Sequence, residues 1–338
     1  MKKKINIGII GKNFGQKVIL NAFTKNKHLN VIAISSLKKP ENKILKENKI
    51  IFYSNWKKMI DNKLINAVAI ATPPHIQEKI INYSIKKKKH IFCEKPFTES
   101  FFKANRLLNI LKKNNKVANI VNYIFPEIDC WKLLKKKIKR QTVKEIKLGW
   151  KMNSKFKKNS WKFKHNQGGA VLYNFACHSI YYLEYLFGKI TFLKSQVLYK
   201  NKNFPYRLKG IFYFFSGAKA EVDINLFSRK EQFHQVKVKT NKSSFNLSSG
   251  ANSIYDKFNL KLERPQKKIF KFNKQNNYEK KDFRIEPTYK NSIKFSKWIL
   301  NKKEYEPNFK SALRIHYILK CIIKSSKLEQ NIFLTDKY

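Results

Sequence analysis

Short apolar runs and segments of helical period alternate over roughly the first 120 residues, which is the sequence habit of a doubly wound parallel sheet. Ile5 to Ile10 is an apolar strand, and Val18, Ile19, Ala22 and Phe23 then share one face of a helix. Asn30 to Ile34 reads as a second strand, and a third begins at Ala67. Thr72-Pro73-Pro74-His75 turns that third strand into a helix over Ile76 to Ile85. Lysines 86 to 89 close the helix, where cations suit the dipole. His90 opens another strand, which stops abruptly at Glu94-Lys95-Pro96. A buried parallel strand ends in this way when its carboxyl end opens into a crevice. Pro96 fixes φ and stiffens the exit path, so Lys95 is carried on rigid backbone. A lysine mounted there can hydrogen-bond a substrate hydroxyl and share its proton.

Between the first strand and its helix stands Gly11-Lys12-Asn13-Phe14-Gly15-Gln16. Strand, glycine turn and helix form the context that a dinucleotide reading needs. The GxGxxG spacing is degraded: Gly11 stands, Asn13 holds the second position, and Gln16 the third, with Gly15 one place early. Asn13 tolerates the left-handed conformation that the second glycine would supply. Gly15 would let the backbone approach a pyrophosphate at the helix N-terminus. Gly11, Asn13, Phe14 and Gly15 are thus the candidate cofactor residues of this turn, although a plain strand–turn–helix without ligand fits them equally well. An acid about 20 residues beyond the glycines would hold the adenosine ribose hydroxyl of NAD. Ser35, Ser36, Lys38 and Lys39 follow the second strand instead and suit a 2′-phosphate, which tilts the choice from NAD toward NADP.

Thr72-Pro73-Pro74-His75 followed by Cys93-Glu94-Lys95-Pro96 resembles the glucose–fructose oxidoreductase and inositol dehydrogenase family, Gfo/Idh/MocA. The segment Gly168-Gly169-Ala170-Val171-Leu172-Tyr173-Asn174-Phe175-Ala176-Cys177-His178 resembles its GGGxLxDxGxH helix. Pro307-Asn308-Phe309 with Ser325-Ser326 resembles its closing helix. The resemblance spans nearly the whole chain and is weakest from about residue 190 to residue 280. It implies an α/β protein: a Rossmann-type NAD(P)-binding domain over 1–122, then an α+β domain over 123–338 with a large, mainly antiparallel open sheet. The last helix would pack back on the first domain. It also implies an oxidoreductase acting at a hydroxyl or keto carbon of a sugar, nucleotide sugar or cyclitol. Ser35, Ser36, Thr72, Pro73, His75, Glu94 and Lys95 join the turn residues as expected cofactor contacts. The substrate is expected between the nicotinamide and the helix bearing Asn174 and His178, with Lys95 and His178 managing the proton.

Two departures bear on that chemistry. Asn174 falls where the family usually has an aspartate, and Tyr181 where a second one often follows the histidine. Residues 174 and 178 are four apart, so a helix turns both to one side. An amide exchanges hydrogen bonds but not protons, which leaves proton transfer to Lys95 and His178. Histidine is the natural acid or base near neutrality. Without the resemblance, His178 would read as a core histidine on an apolar helix. Trp161, with His165 nearby, is a candidate substrate contact, and a packing tryptophan fits as well. Phe125-Pro126-Glu127 stands where many relatives have an arginine. A non-catalytic relative, binding a dinucleotide or sugar as a sensor or structural subunit, is the competing reading.

Composition points elsewhere at first. Lysine plus arginine number 73 against 22 acids, a formal charge of +51. Only seven of the 73 are arginine, the residue whose bidentate fork reads phosphate and bases. The lysines are spread through every helix and loop beside abundant Asn, Ile and Phe, the mixture that AT-rich codons produce. The charge is therefore read as solvated surface that can steer anionic ligands inward, and no nucleic-acid partner is expected. No apolar run reaches about 20 residues, so no membrane span is expected. The start lacks a signal's apolar core, which makes a cytoplasmic location the expectation. Cys93, Cys130, Cys177 and Cys321 show no metal spacing, and no metal is expected.

The remaining chain alternates with period two at Phe192–Tyr199, Leu208–Phe215, Ala218–Ile224 and Glu231–Lys239, with a hairpin turn at Ser216-Gly217. Ser243–Leu247 and Lys267–Phe272 add two strands. A sheet of this size leaves one broad face open, and the family resemblance implies that this face is a contact for a homodimer or homotetramer. Lys274–Lys281 reads as a charged mobile loop.

Overall fold

The computed structural model describes residues 4–114, 116–155, 160–201, 204–249, 257–270 and 282–336. The charged stretch Lys274–Lys281 and the end of the strand expected at Lys267–Phe272 lie outside the described residues. Two compact units emerge: Met1–Ile124 with Asn277–Leu313, and Phe125–Asn276 with Arg314–Tyr338.

The first unit is built on six parallel strands, β1 (Ile5–Ile10), β2 (Leu29–Ser35), β3 (Ile51–Tyr53), β4 (Ala67–Ile70), β5 (His90–Cys93) and β6 (Asn119–Val121). Their order is β3-β2-β1-β4-β5-β6. Every residue of β4 is buried, as a strand covered on both faces must be. A π-turn, Gly15–Leu20, leads into α1 (Asn21–Thr24); α2 (Asn42–Glu47), α3 (Trp56–Asp61), α4 (Pro74–Lys86) and α5 (Phe101–Lys112) make the other crossovers. Sequence periodicity missed β3, α2 and α3. They are three to six residues long, and Ile51 of β3 is exposed, so no apolar stripe marks them. The chain reverses its direction of travel across the sheet between β1 and β4, the place where ligands of such sheets bind.

The second unit holds α6 (Asp129–Ile138), β7 (Val143–Lys151), a π-turn over Leu172–Ala176 that opens α7 (Cys177–Phe187), and then β8 (Ile190–Tyr199) and β9 (Pro205–Phe214). It continues through β10 (Lys219–Asn225), β11 (Phe233–Thr240), β12 (Ser244–Ser248), β13 (Asn259–Arg264) and β14 (Lys268–Phe270). After α8 (Ile285–Asn301) and α9 (Phe309–Leu328), a two-residue strand β15 (Ile332–Phe333) completes a nine-stranded sheet in the order β14-β13-β12-β11-β7-β10-β9-β8-β15. Among the described residues of this sheet, only β7 and β10 pair in parallel. Gly217, at φ 82°, closes the β9–β10 hairpin at the expected place. Strand β13 escaped notice because half its residues are charged and only Leu260 is fully buried.

One face of this sheet is packed. Ser195 Oγ donates to Ile322 O at 2.9 Å, while Ser325 and Ser326 of α9 accept from the backbone of β8. The other face is open, a groove of about 820 Å³ lined by Lys147, Lys194, Lys209, Phe233 and Lys237 among others. Helix α8 falls in the first unit: Phe295 and Trp298 join Ile5, Phe23 and Phe92 in its core, with Phe92 edge-on to Phe23 at 5.0 Å and to Phe295 at 5.9 Å. Among the described residues, no helix is long and apolar enough to cross a membrane.

The core of the second unit is aromatic. Phe125 meets Trp131, Trp150, Tyr182, His234 and Phe258 at 5.2–5.9 Å, and Trp150 stacks on His234 at 3.9 Å. His234 Nε2 shares a hydrogen bond with Tyr182 Oη at 2.9 Å. Burial holds His234 and His316 down to about 3, so both are neutral in the folded protein. The unfolded chain protonates them near 6.5, so their stability contribution is complete above that pH and is lost as pH falls toward 3. His234→Phe, which keeps a ring on Trp150, should flatten the acid side of a urea-midpoint against pH curve between pH ~6.5 and ~4, by up to a few kcal/mol. An unchanged acid limb would show that His234 is not among the groups that titrate.

Candidate active site

The first strand ends at Gly11, where φ is 123° and a Cβ would lie 2.3 Å from Ala71 O. No other residue type fits such a position. Gly11 N donates to Ser35 O at 2.9 Å and Ala71 N to Ile10 O at 2.8 Å, so β1, β2 and β4 end flush with one another. Gly15 serves close approach: its Cβ would stand 3.1 Å from Ile9 Cγ2. The expectation for Asn13 is corrected. It is not left-handed but already helical, because the helical turn begins there and leaves the positive φ to Gly11 alone. Phe14 is half-buried, with the Arg284 guanidinium 5.0 Å from its ring centroid. Arg284 forks onto Asp282 at 2.8 and 2.6 Å. Burial alone would raise the Asp282 carboxyl, but Arg284, with help from Lys17, holds it below the ordinary range.

Three buried polar atoms near this edge, Gln16 Nε2, Thr72 Oγ1 and His75 Nδ1, have no hydrogen-bond partner among the described residues. Each such atom costs about 1–3 kcal/mol, so the edge fits a polar ligand. Pro73 and Pro74 start α4 beside them. Ser35 is buried at the end of β2, and Ser36 Oγ donates to Lys38 O at 2.7 Å, with Lys38 and Lys39 exposed.

Lys95 follows β5 on a tightly held turn. Gln77 Nε2, from α4, donates to Glu94 O at 2.7 Å, Pro96 O at 3.0 Å and Phe97 O at 3.1 Å. The Lys95–Pro96 peptide is cis. Glu94 N donates to Ile70 O, and Asn122 Nδ2 donates to Glu94 Oε1 at 2.6 Å. Burial pushes the Glu94 carboxyl up to about 7, against Asn122, Lys95 and Arg284, which all favour its ionised form.

In the second unit, Gly169 lies so close to the Trp161–Phe163 turn that a Cβ would sit 2.2 Å from Trp161 O. That contact fixes Trp161, which is half-buried, next to the helix entrance. Gly168 and Ala170 both have positive φ, at 81° and 60°, and then the π-turn begins. Asn174 lies within it, His178 one turn on, and each is buried. A widened turn of this kind is frequent at functional sites. The His178 ring meets Phe125 edge-on at 5.0 Å, so an aromatic wall stands beside the imidazole. Tyr181 is buried, and His165, whose burial lowers its pKa, packs 5.2 Å from Tyr173.

Gly11, Phe14, Gly15, Ser35, Ser36, Thr72, Pro73, His75, Glu94 and Lys95 thus line the carboxyl edge of the six-stranded sheet. Trp161, Asn174 and His178 gather at one helix entrance of the second unit. Sequence reading missed Gln77, Asn122 and Arg284. A polar residue in phase with the buried Ile80 and Ile81 could have flagged Gln77.

A family model described as an oxidoreductase family NAD-binding Rossmann fold matches residues 5–123, and one described as its C-terminal alpha/beta domain matches residues 135–327. The chain belongs to the Gfo/Idh/MocA oxidoreductase family. Gfo/Idh/MocA relatives include an uncharacterized oxidoreductase of Synechocystis, 29% identical over 194 residues (54% of this chain, 52% of that protein). The 2,7-anhydro-N-acetylneuraminate hydratase of Escherichia coli is 29% identical over 195 residues (55% and 50%). The chain spans about half the length of these two relatives. Levoglucosan dehydrogenase of Pseudarthrobacter phenanthrenivorans is 28% identical over 148 residues (41% and 37%). A solved levoglucosan dehydrogenase in complex with NADH and L-sorbose superposes with a TM-score of 0.84 at 17% identity, covering 98% of this chain and 99% of that one, which fixes the shared fold.

The Glu94 carboxyl carries a stability signature. Its folded value, about 7, exceeds the ordinary 4.5, so its contribution is complete below about 4.5 and is lost as pH rises through 7. The loss is up to about 3 kcal/mol. Glu94→Gln should remove that decline between pH ~5 and ~8 in urea denaturation; a decline equal to wild type would show that Glu94 titrates elsewhere.

Proposed function

We propose that this protein is an NAD(P)-dependent dehydrogenase or reductase acting at a hydroxyl or keto carbon of a carbohydrate: a sugar, nucleotide sugar or cyclitol. The observation that carries the reading is the Lys95 turn, clamped by Gln77 at the carboxyl end of β5 on a sheet whose neighbouring edge has polar atoms awaiting a ligand. The name of the levoglucosan dehydrogenase relative supports a sugar as substrate.

Gly11, Asn13, Phe14, Gly15, Ser35, Ser36, Thr72, Pro73, His75 and Glu94 would hold the coenzyme. A bound nicotinamide supplies the hydride acceptor or donor. Lys95 hydrogen-bonds the substrate oxygen, favours charge developing on it and exchanges its proton. His178 is the second proton-competent group, and Asn174 orients the substrate through its amide. Trp161 gives the substrate an apolar wall. Ser35 and Ser36 with Lys38 and Lys39 suit the 2′-phosphate of NADP. The lysine-rich surface draws anionic ligands inward. The protein works in the cytoplasm, and its open sheet face, with Phe233 among the lysines, pairs subunits into a homodimer or homotetramer.

The competing sensor reading draws on Asn174 and Tyr181, and it predicts coenzyme binding without turnover. Coenzyme fluorescence titration followed by an absorbance screen of sugars and nucleotide sugars separates the two. NADPH should bind more tightly than NADH. Lys95→Ala and His178→Gln should each lower turnover by roughly 10² or more while coenzyme still binds. Wild-type turnover in Lys95→Ala rules out its role, and tighter binding of NADH overturns the NADP assignment.

A further inference from the structure

Behind the Lys95 turn runs a buried polar chain that no sequence motif announces. Asn122, just past β6, donates through Nδ2 to Glu94 Oε1 at 2.6 Å and to Thr288 Oγ1 at 3.0 Å. Asn291 Nδ2 donates in turn to Asn122 Oδ1 at 3.0 Å and to Tyr123 O at 3.4 Å. Asn122, Thr288 and Asn291 have no exposed surface. Thr288 and Asn291 are three apart on α8 and so face the same side. Apolar residues fill such a helix face more cheaply, since each buried polar side chain must recover its desolvation through hydrogen bonds. Here the bonds hold the Asn122 amide from both ends, and that amide donates to the Glu94 carboxyl.

We propose that Asn122, Thr288 and Asn291 are positioning residues, a relay from α8 that holds the Glu94 carboxyl in place beneath the Lys95 turn. The proposal deepens the oxidoreductase reading and rests on it for its consequence in coenzyme binding and turnover. Its physical content lies in a balance. Burial favours the neutral acid, whereas the Asn122 amide, the Lys95 ammonium, the Arg284 guanidinium at the start of α8 and the Lys95 backbone N–H favour the carboxylate. Cys93, the other titratable neighbour, is buried and held as the neutral thiol. Gln77 reaches the backbone carbonyl of Glu94 and not its carboxyl. The Asn122 amide is thus the only uncharged side chain that bonds to the Glu94 carboxyl among the described residues, and Thr288 and Asn291 fix its orientation. Once Thr288 no longer accepts, the amide can turn from Glu94 and the balance moves toward the neutral acid. Lys95 then loses a neighbouring anion.

The test is a carboxyl-carbon NMR titration of the full chain, with the Glu94 resonance identified by its loss in Glu94→Gln. NADPH affinity is followed by fluorescence over the same pH range. Wild type should titrate near 7. Thr288→Val and Asn291→Leu should move the midpoint up by about one pH unit, a tenfold change in ionisation. Thr288→Ser, which keeps the hydroxyl, should restore it. The pH at which NADPH affinity changes should move in parallel. A midpoint unmoved in Thr288→Val and Asn291→Leu overturns the proposal, and so does a wild-type Glu94 that does not titrate between about pH 6 and pH 8. The carboxyl titration needs neither coenzyme nor substrate. A shifted midpoint in a protein that binds neither NADPH nor NADH therefore sustains the relay and refutes the oxidoreductase reading.

Discussion

The carbonyl of Ala71 occupies the space that a side chain on Gly11 would need, and the ligand edge of the first unit follows from that contact. With the ends of β1 and β4 this close, the turn after β1 presents backbone rather than side chain at the point where strand order reverses. Thr72 and His75 then come out of β4 beside it, and Gln16 arrives from the helical turn. The β5 end aligns next to them because Glu94 N bonds to Ile70 O. A ligand with many hydrogen-bonding groups is what such an edge stabilises, since its buried donors and acceptors are costly when unmet.

The net charge of +51 says little about this chemistry. The groups that matter are few and mostly uncharged or finely balanced. Glu94 sits near neutrality because burial opposes two cations and an amide, and His234 and His316 are kept neutral by burial alone. The lysines lie mostly at exposed positions of helices, loops and the open face of the nine-stranded sheet, where water screens them.

Much of the architecture could be read from the chain because its strands follow local rules. The apolar runs of β1, β4 and β5, the Pro-Pro entrance to α4 and the alternation in β8 to β12 are all contained in short windows. What escaped is either too short or too long in range. Strands β3 and β15 have three and two residues, and β13 is half charged, so none carries a periodic signal. Asn13 was misjudged because the helix begins one turn earlier than a GxGxxG spacing implies. The Asn122–Asn291 bond joins residues 169 positions apart, and no periodicity reports such a pairing. Phe125 became intelligible only as the hub of an aromatic cluster that includes the ring of His178.

The carboxyl edge of the six-stranded sheet, and not the cationic sheet face, is the proposed binding place of a nicotinamide dinucleotide. Backbone hydrogen–deuterium exchange with and without NADPH tests this most directly. Slowed exchange at Gly11 to Gln16 and at Glu94 to Phe97, with Lys194 to Gln196 and Lys209 to Ile211 unaffected, is the predicted result. Protection confined to the lysine-lined strands, or none at the glycine turn, would contradict it.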